Sequence, residues 1–573
     1  MPQSVLSANR VLELLTQPVE REELEEQLFR SKAELTDWTE DALTIEVTPD
    51  RLDMLSEGGL ALFLQGALGL KKGPAPLVEP PATLDRPAAL VEASVSTLRP
   101  YLAGALLTAP AGVALDAGLF AEAIRFQEVL HATIGLDRRA ASLGLYSWER
   151  LKPPIRYALE PLDGVRFHPL DGLAEVEGPK FFAEHPMAQR YGRLGRSNGE
   201  CLTLRDADDQ LLSLPPILNG RTAGEVRIGD RALLLESTGT RAVRVEESVG
   251  LMLLPFAARG WAVQSLRVEY PDHAESGMGW IAPRRLPFSA STLQDLTGLS
   301  LPDEQVEDYL AQGRLGGTKA PDGWWVEIPP WRPDLQTSVD LTEEILVARG
   351  IAPEDALLPA SATRGRRLAE ARFRRTVRRV LLGLGYVELR NTVLVPNGLV
   401  TLLGRASAIA VVNPVSDLYS RVRDSLQISL MASLERNLRY SYPQQYSDVG
   451  PVVVREASEP SGGKTRWHAG AVLAGERSGF ADAAAWVDYL LGAFGALGVR
   501  EPAELPGTIP GRAACLRIAG EAVAEVGEIA PSVLSELKVP VPVAWGEVDL
   551  TALWPLVRRG RLTENLPSSS GGS

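Results

Sequence analysis

Cysteine is nearly absent: Cys201 and Cys515 are the only two in 573 residues. So few thiols exclude a disulfide framework and a thiolate metal site, and the usage fits a reducing cytoplasm. The five histidines are scattered, with no H-x-x-x-H or similar pair, so zinc chemistry is not expected. No stretch of about 18 apolar residues exists to span a membrane, and no apolar signal core opens the chain. Bases are in deficit, with 59 Lys and Arg against 73 Asp and Glu, for a formal charge of −14. That balance excludes a uniform grip on nucleic acid, so any RNA contact must use local basic patches. What remains is 45% hydrophobic and 23% charged, as in an ordinary soluble globular protein. The length predicts three or four domains.

The densest feature lies in IPPWRPDLQTSVDLTEEILVARG (328–350), which holds four acids, Asp334, Asp340, Glu343 and Glu344, within eleven residues. The prolines before them favour an extended arm. From Asp340 the pattern is helical, with Leu341, Ile345 and Ala348 on one face and Asp340, Glu343 and Glu344 on an adjacent arc. Asp334 is placed to reach that arc from the arm. Such a cluster calls for positive charge, and a hard divalent cation such as magnesium and a basic partner surface both answer. A plainer reading also stands: Asp340-Leu-Thr-Glu343 resembles a capping box, and acids suit a helix start.

Along the chain, residues 1–70 read helix, strand, helix, with Val19–Arg30 helical, Leu43–Asp50 a strand and Met54–Leu68 a helix. Residues 71–87 are a proline-rich linker. Tyr101–Thr108 is a buried strand, and Ala117–Gly135 is a helix stopped by glycine. SLPPILNGRT and LLLESTGTRA follow as a pair of short strands. Residues 280–352 form a small α+β unit, with helices beginning at Ser289 and spanning Asp303–Gly313. After a linker at Pro359–Gly365 comes a basic helix, Arg366–Leu384. Ala481–Gly498 is an amphipathic helix, and Gly511–Leu534 is a hairpin followed by a helix. The Ser/Gly-rich end, Pro567–Ser573, is expected to be disordered. Gly462-Gly-Lys-Thr465 looks like a phosphate loop, but Ser458 stands where the motif needs glycine.

The acidic pattern D-x5-D-x2-E-E after PPWRPD resembles the matching segment of phenylalanine–tRNA ligase beta subunits. VTPDRLDMLS resembles that family's VTPNRPDLLS signature, departing at Asp50 and Leu52. FQEVLH, LKPP, LPPILN and ESTGT occur in the order seen in the editing domain of the archaeal-type subunit. They depart at Tyr146-Ser147, where the family commonly has His-Asp, at Gly220, and at Glu236, which replaces an aspartate. Asn413-Pro-Val-Ser-Asp-Leu-Tyr-Ser-Arg-Val-Arg-Asp424-Ser-Leu, GRAA and GEIAP resemble the catalytic-like module, so the likeness is collinear over nearly the whole chain.

The resemblance is to the short form, without extra tRNA-binding and anticodon-binding domains. It implies an α+β multidomain fold. An N-terminal α/β domain and linker would occupy 1–88 and a tRNA-editing, aminoacyl-tRNA-deacylating domain 89–275. A small DNA-binding-like domain with the acidic cluster would occupy 276–356, a class II synthetase catalytic-like antiparallel-sheet module 366–556, and a disordered tail 557–573. It implies that Asp334, Asp340, Glu343 and Glu344 hold Mg2+ at the contact with an alpha subunit in a cytoplasmic α2β2 assembly acting on the tRNA for phenylalanine. ATP would be used by the complex and not bound by this chain, which has no F-R-x-E strand to clamp its phosphates. For editing, the candidates are Glu236, Thr238 and Asn219; as bare residues they also fit a strand-end carboxylate and two turn positions. His131 and His185 read as structural. Two other functions fit the same chain: a non-catalytic regulatory or binding paralogue that has lost editing, and a free-standing editing hydrolase. Eight arginines, Arg364, Arg366, Arg367, Arg372, Arg374, Arg375, Arg378 and Arg379, crowd the basic helix. At i, i+4 they predict two positive ridges toward an acidic partner.

Overall fold

A computed structural model describes residues 2–75, 77, 86–172, 174–271, 283–350 and 363–559. Most of the two linkers and all of 567–573 lie outside these residues. The chain divides into two compact units, 1–357 and 358–573. No helix among the described residues is long and apolar enough to cross a membrane.

The first unit opens with a three-stranded antiparallel sheet in the order Gln3–Ser7, Ala42–Val47, Ala33–Trp38. Only its central strand was expected. It alternates buried and half-buried residues along its whole length, whereas its edge neighbours alternate buried residues with exposed ones. Helix Arg21–Arg30 buries Leu24 and Leu28, and helix Glu57–Ala67 follows a short 3-10 turn. A four-stranded antiparallel sheet comes next, ordered Ala262–Ser265, Tyr101–Thr108, Ala232–Gly239, Ala141–Ser147. Helix Ala117–Ala132 is capped by Asp116, which accepts from the N–H groups of Gly118 and Leu119 at 2.7 and 2.8 Å. One apolar core runs unbroken from Leu6, Leu28 and Ile45 to Phe126, Leu235 and Trp261.

A mixed seven-stranded sheet holds Leu211–Leu214 and Leu218–Asn219. The two segments expected to pair, SLPPILNGRT and LLLESTGTRA, thus belong to different sheets. Leu211–Leu214 and Ala232–Gly239 are buried along nearly their whole length, and an apolar run does not say against what. A small sheet, Arg284–Phe288, Gly323–Ile328, Gly316–Ala320, with helices Ala290–Thr297, Asp303–Gln312 and Ser338–Arg349, completes the unit.

The second unit is built on a seven-stranded sheet, antiparallel except at one edge. Its order is Val387–Leu389, Gln444–Arg455, Gly463–Ala474, Val543–Asp549, Glu521–Ile529, Thr508–Ile518, Val499–Pro502. Period-two alternation sends Ala544 and Val548 into a core with helices Ala369–Gly383, Phe480–Ala493 and Leu550–Arg559. Val543 and Trp545 enter the opposite core, under helix Leu426–Arg436. Three expectations shift. The basic helix starts at Ala369, not Arg366. Phe480–Ala493 stops short of Gly498, because Gly495 takes a left-handed φ of 65°. The last helix runs past residue 557, where a tail was expected, because Leu553 and Val557 bury together one turn apart. Gly462 (φ 70°) lies in the hairpin turn before Gly463–Ala474, so the phosphate-loop likeness sits on a β-turn.

The positive ridges of the basic helix are only half available. Arg374 pairs with Glu370 and lies over the Trp467 ring at 4.1 Å, while Arg378 pairs with Glu388 at 2.8 Å and donates to Val449 O. Arg372, Arg375 and Arg379 stay exposed.

Beside helix Leu426–Arg436, Glu547 reaches across to cap the N-terminus, accepting from Leu426 N at 3.0 Å and from the Ser425 hydroxyl. His468 bridges Glu547 and Asp549. Burial opposes charge on that imidazole, but the two carboxylates outweigh it and push its pKa up to about 9. The folded value lies above the unfolded one. The resulting stabilisation is therefore full below about pH 6.5 and is lost as pH rises through 9. His468→Gln should lower the unfolding free energy, by no more than about 3 kcal/mol at neutral pH. The gap to the wild type should narrow as melts are repeated from pH 7 to 9.5; a gap independent of pH would count against the imidazolium.

Candidate functional site

Two candidate sites lie in the first unit. The acidic arm forms as expected, but its carboxylates do not converge. Arg332, fully buried, binds Asp334 at 2.7 Å and Glu344 at 2.7 Å, and stands 4.0 Å from Asp53. Burial alone would push Glu344 up, yet the Arg332 and Arg51 guanidiniums hold it below the ordinary carboxylate range. Glu343 turns to Lys32 at 2.7 Å. Asp340 occupies the third helical position, not the cap. Its carboxylate accepts from the Thr337 N–H at 2.7 Å and the Gln336 N–H at 2.8 Å, so the capping box is Thr337–Asp340, three residues earlier than the sequence suggested. Among the described residues, no three His, Cys, Asp or Glu side chains come together as a metal-binding group. The four acids as arranged do not fit a magnesium shell, because cationic side chains already occupy three of them.

Arg332 was the residue missed. The arm sequence Trp331-Arg332-Pro333-Asp334 places it two positions before the first of the acids it serves, outside the helix on which a helical-face count is made. Replacing it with leucine would leave two carboxylates buried and unpaired. Arg332→Leu should cost about 3–5 kcal/mol in denaturant unfolding. The loss should be smaller at pH 5 than at pH 8, since orphaned carboxylates take up protons. A loss below about 1 kcal/mol would mean that the cluster is not held by its arginine.

The second site is a cavity of about 440 Å3 between the four-stranded and seven-stranded sheets and helix Ala117–Ala132. Glu236 and Asn219 both line it. Thr238 does not: it is buried, and its hydroxyl accepts from Arg99 Nε at 3.0 Å. The register puts Glu236 opposite Gly144 on one neighbouring strand and Gly104 on the other. On the Gly144 side, a Cβ would collide with the Tyr146 hydroxyl and lie 2.7 Å from Glu236 Oε1, so only glycine leaves room for the carboxyl.

Glu236 is 4% exposed. Its Oε1 accepts from the Tyr146 hydroxyl at 2.9 Å, and Oε2 has no hydrogen-bond partner. Burial dominates and pushes its pKa up to about 7, against the opposing pull of Tyr146 and Arg99. The Tyr146 hydroxyl also lies 2.8 Å from Ser213 Oγ. Asn219 donates to Leu145 O at 3.0 Å, which leaves its own oxygen uncommitted.

One wall is an ion network. Arg138 binds Glu128 at 2.8 Å, donates to Pro216 O and lies over the Tyr191 ring. The His131 hydrogen bond and Arg138 pull Glu128 down to about 2. His131 Nε2 accepts from the Leu143 N–H at 2.8 Å, so the imidazole is neutral and donates through Nδ1 to Glu128. It therefore builds the wall, as the structural reading expected. His185 is structural as well, stacking on Phe181 and capping the helix Pro186–Tyr191. Gly220 does not line the cavity and Ser147 is buried outside it, whereas Tyr146, a departure from the family's pattern, lies on the central carboxyl.

The geometry offers one buried acceptor, a neighbouring amide oxygen and a roomy pocket with both polar and apolar walls, enough to sort small ligands by a hydroxyl. Comparison with known proteins supplies the family. Residues 286–351 match the model described as tRNA synthetase B5 domain, and residues 355–550 match that of the phenylalanyl tRNA synthetase beta chain CLM domain. The phenylalanine–tRNA ligase beta subunit of Haloarcula marismortui is 31% identical over 570 residues, covering 93% of this chain and 96% of that one. Its counterpart in Aeropyrum pernix is 30% identical, covering 93% and 95%. An N-terminal fragment of the phenylalanyl-tRNA synthetase beta-subunit from Pyrococcus horikoshii shares the fold, with a TM-score of 0.55 and 24% identity over 61% of this chain and 99% of the fragment. Matched end to end at this level, the chain belongs to the family of phenylalanine–tRNA ligase beta subunits, components of an aminoacyl-tRNA synthetase.

Proposed function

We propose that this chain works with an alpha subunit that activates phenylalanine, and that its own chemistry is hydrolysis of tyrosine wrongly attached to phenylalanine tRNA. The observation that carries this is Glu236, a buried carboxyl with one oxygen unpartnered, lining a cavity large enough for an aromatic side chain. A synthetic pocket for phenylalanine cannot easily exclude tyrosine, which only adds a hydroxyl. A second pocket built to accept that hydroxyl rejects phenylalanine by leaving Glu236 Oε2 unpaired, worth roughly 10⁴–10⁵ in discrimination at best. The serines lining the cavity have no histidine base: Ser213 lies on Tyr146, and Ser142 accepts from Arg99. Attack by a water held between the pocket and the substrate's terminal ribose suits this donor set better than a covalent intermediate.

Synthesis by the partner subunit is supported by the second unit's arginines. Arg423 is buried on Asp448 at 3.0 Å and Arg466 sits on Asp549 at 2.6 Å, so neither is free to clamp a phosphate. The exposed Arg375 and Arg379 are the better candidates for acidic groups of tRNA or of the alpha subunit.

Two measurements on the complex and the isolated chain test this. Phenylalanine-dependent ATP–pyrophosphate exchange should appear only with the alpha subunit; exchange by the purified chain alone would overturn that assignment. The complex should deacylate tyrosyl-tRNA, and Glu236→Ala should slow that step at least about tenfold while charging continues. Equal rates would remove Glu236 from the pocket, and no deacylation by either protein would favour a paralogue that has lost editing.

A further inference from the structure

We propose that Tyr146 is a positioning residue for Glu236: its phenol engages one carboxyl oxygen, so that the other, Oε2, is the one carboxyl oxygen left to accept from a ligand hydroxyl in the cavity. This rests on the reading of the cavity as a hydroxyl-sorting pocket.

Tyr146 lies opposite Leu234, and Gly144 lies opposite Glu236. Residues two apart share a face, so Tyr146 and Glu236 are diagonal neighbours on the same side of the sheet. The phenol reaches Glu236 across Gly144, over the gap that a Cβ would close. A tyrosine hydroxyl carries one proton. With Glu236 ionised, the carboxylate takes that proton as the stronger acceptor, and Ser213 donates to the phenol oxygen in turn. This chain of three groups, at 2.8 and 2.9 Å, fixes the carboxyl plane.

No cation competes for the same oxygens. Arg99 acts on Glu236 through charge, but its hydrogen bonds go to Thr238, Ser142 and the Arg138 carbonyl. Arg138 and Glu128, on the same cavity wall, satisfy each other. Tyr157, buried on the adjoining sheet, donates to the Arg99 carbonyl. Tyr146 is thus the only direct hydrogen-bond partner of Glu236 among the described residues. A tyrosyl ligand would complete the set on Oε2; a phenylalanyl ligand would bury that oxygen unpaired.

The test is Tyr146→Phe in the assembled complex, which keeps the ring and removes the proton donor. Losing that hydrogen bond should make Glu236 harder to ionise, since the bond favours the charged form. The pH midpoint of the preference for tyrosyl- over phenylalanyl-tRNA deacylation should move alkaline by about one unit or more. At pH 7, close to the wild-type midpoint, the preference should fall about fivefold or more. Gly144→Ala, which pushes the hydroxyl aside, should move both readouts the same way. An unchanged midpoint and preference in a folded Tyr146→Phe complex would overturn the proposal. If the wild type deacylates neither ester, the pocket reading fails instead. The role of Tyr146 is then decided by ¹³C NMR titration of the Glu236 carboxyl, where an unchanged midpoint in Tyr146→Phe would still overturn it.

Discussion

A carboxylate taken out of water needs a cation, a set of N–H groups, or a proton, and this acidic chain obeys that requirement at nearly every buried acid. Asp53 lies on Arg51, Glu57 on Arg125, Glu122 on Arg259, Glu344 on Arg332, Asp448 on Arg423 and Glu547 on His468. Asp206 instead accepts from the backbone at Asp208 and Gln210, and Asp230 from the Arg227 N–H. Many of these pairs tie distant segments together: Glu122 also accepts from Gly58 N, joining helix Ala117–Ala132 to helix Glu57–Ala67. Glu236 departs from the rule. Its one hydrogen bond comes from a phenol, and its remaining oxygen faces neither a cation nor an N–H. A fold that pairs its other buried acids and leaves this one half satisfied, in the wall of a cavity, has a place for a ligand to supply the missing partner.

The two units use charge in opposite ways. Around the second unit's sheet a smaller cavity of about 290 Å3 is ringed by Arg405, Arg466, His468, Glu525, Glu547 and Asp549. Most of those groups answer one another or cap helices: Asp549 accepts from Thr551 N and Ala552 N, and Glu547 holds the start of Leu426–Arg436. Its charge is architectural. In the first unit, the ion pairs of Arg138 and Glu128 lie at the rim while the central carboxyl stays free of cations.

Much of this was legible in the sequence, and the failures have physical causes. Alternation marked Leu43–Asp50 and the amphipathic spacing of 303–313 marked a helix, because one-sided burial writes itself as a period, while a continuous apolar run marked Tyr101–Thr108 as a buried strand. Glu236 and Asn219 were legible through motif order. Thr238 was misjudged because neighbouring residues of one motif can serve different partners, here a cavity and the buried Arg99. The acid cluster was legible as a cluster. That an arginine would close it from within was not, since Arg332 and Glu344 meet only after the arm folds back on the helix. The basic helix showed its charge but not its use: Arg374 pairs with Glu370 within the helix, and the sheet beneath supplies Trp467 to Arg374 and Glu388 to Arg378. Tyr146 appeared only as a departure from a familiar pattern, and its meaning depends on a diagonal pairing across Gly144 that spacing does not reveal.

Glu236 presents one unpartnered, buried carboxyl oxygen to a ligand hydroxyl. This is tested most directly by binding of non-hydrolysable adenosine analogues carrying tyrosine or phenylalanine in amide linkage at the 3′ position, followed by calorimetry and by a crystal structure of the complex. The account predicts that the tyrosyl analogue binds at least about tenfold more tightly. Its phenol oxygen should lie within hydrogen-bonding distance of Glu236 Oε2. Equal affinities, or a tyrosyl ring seated with its hydroxyl away from Glu236, would contradict it.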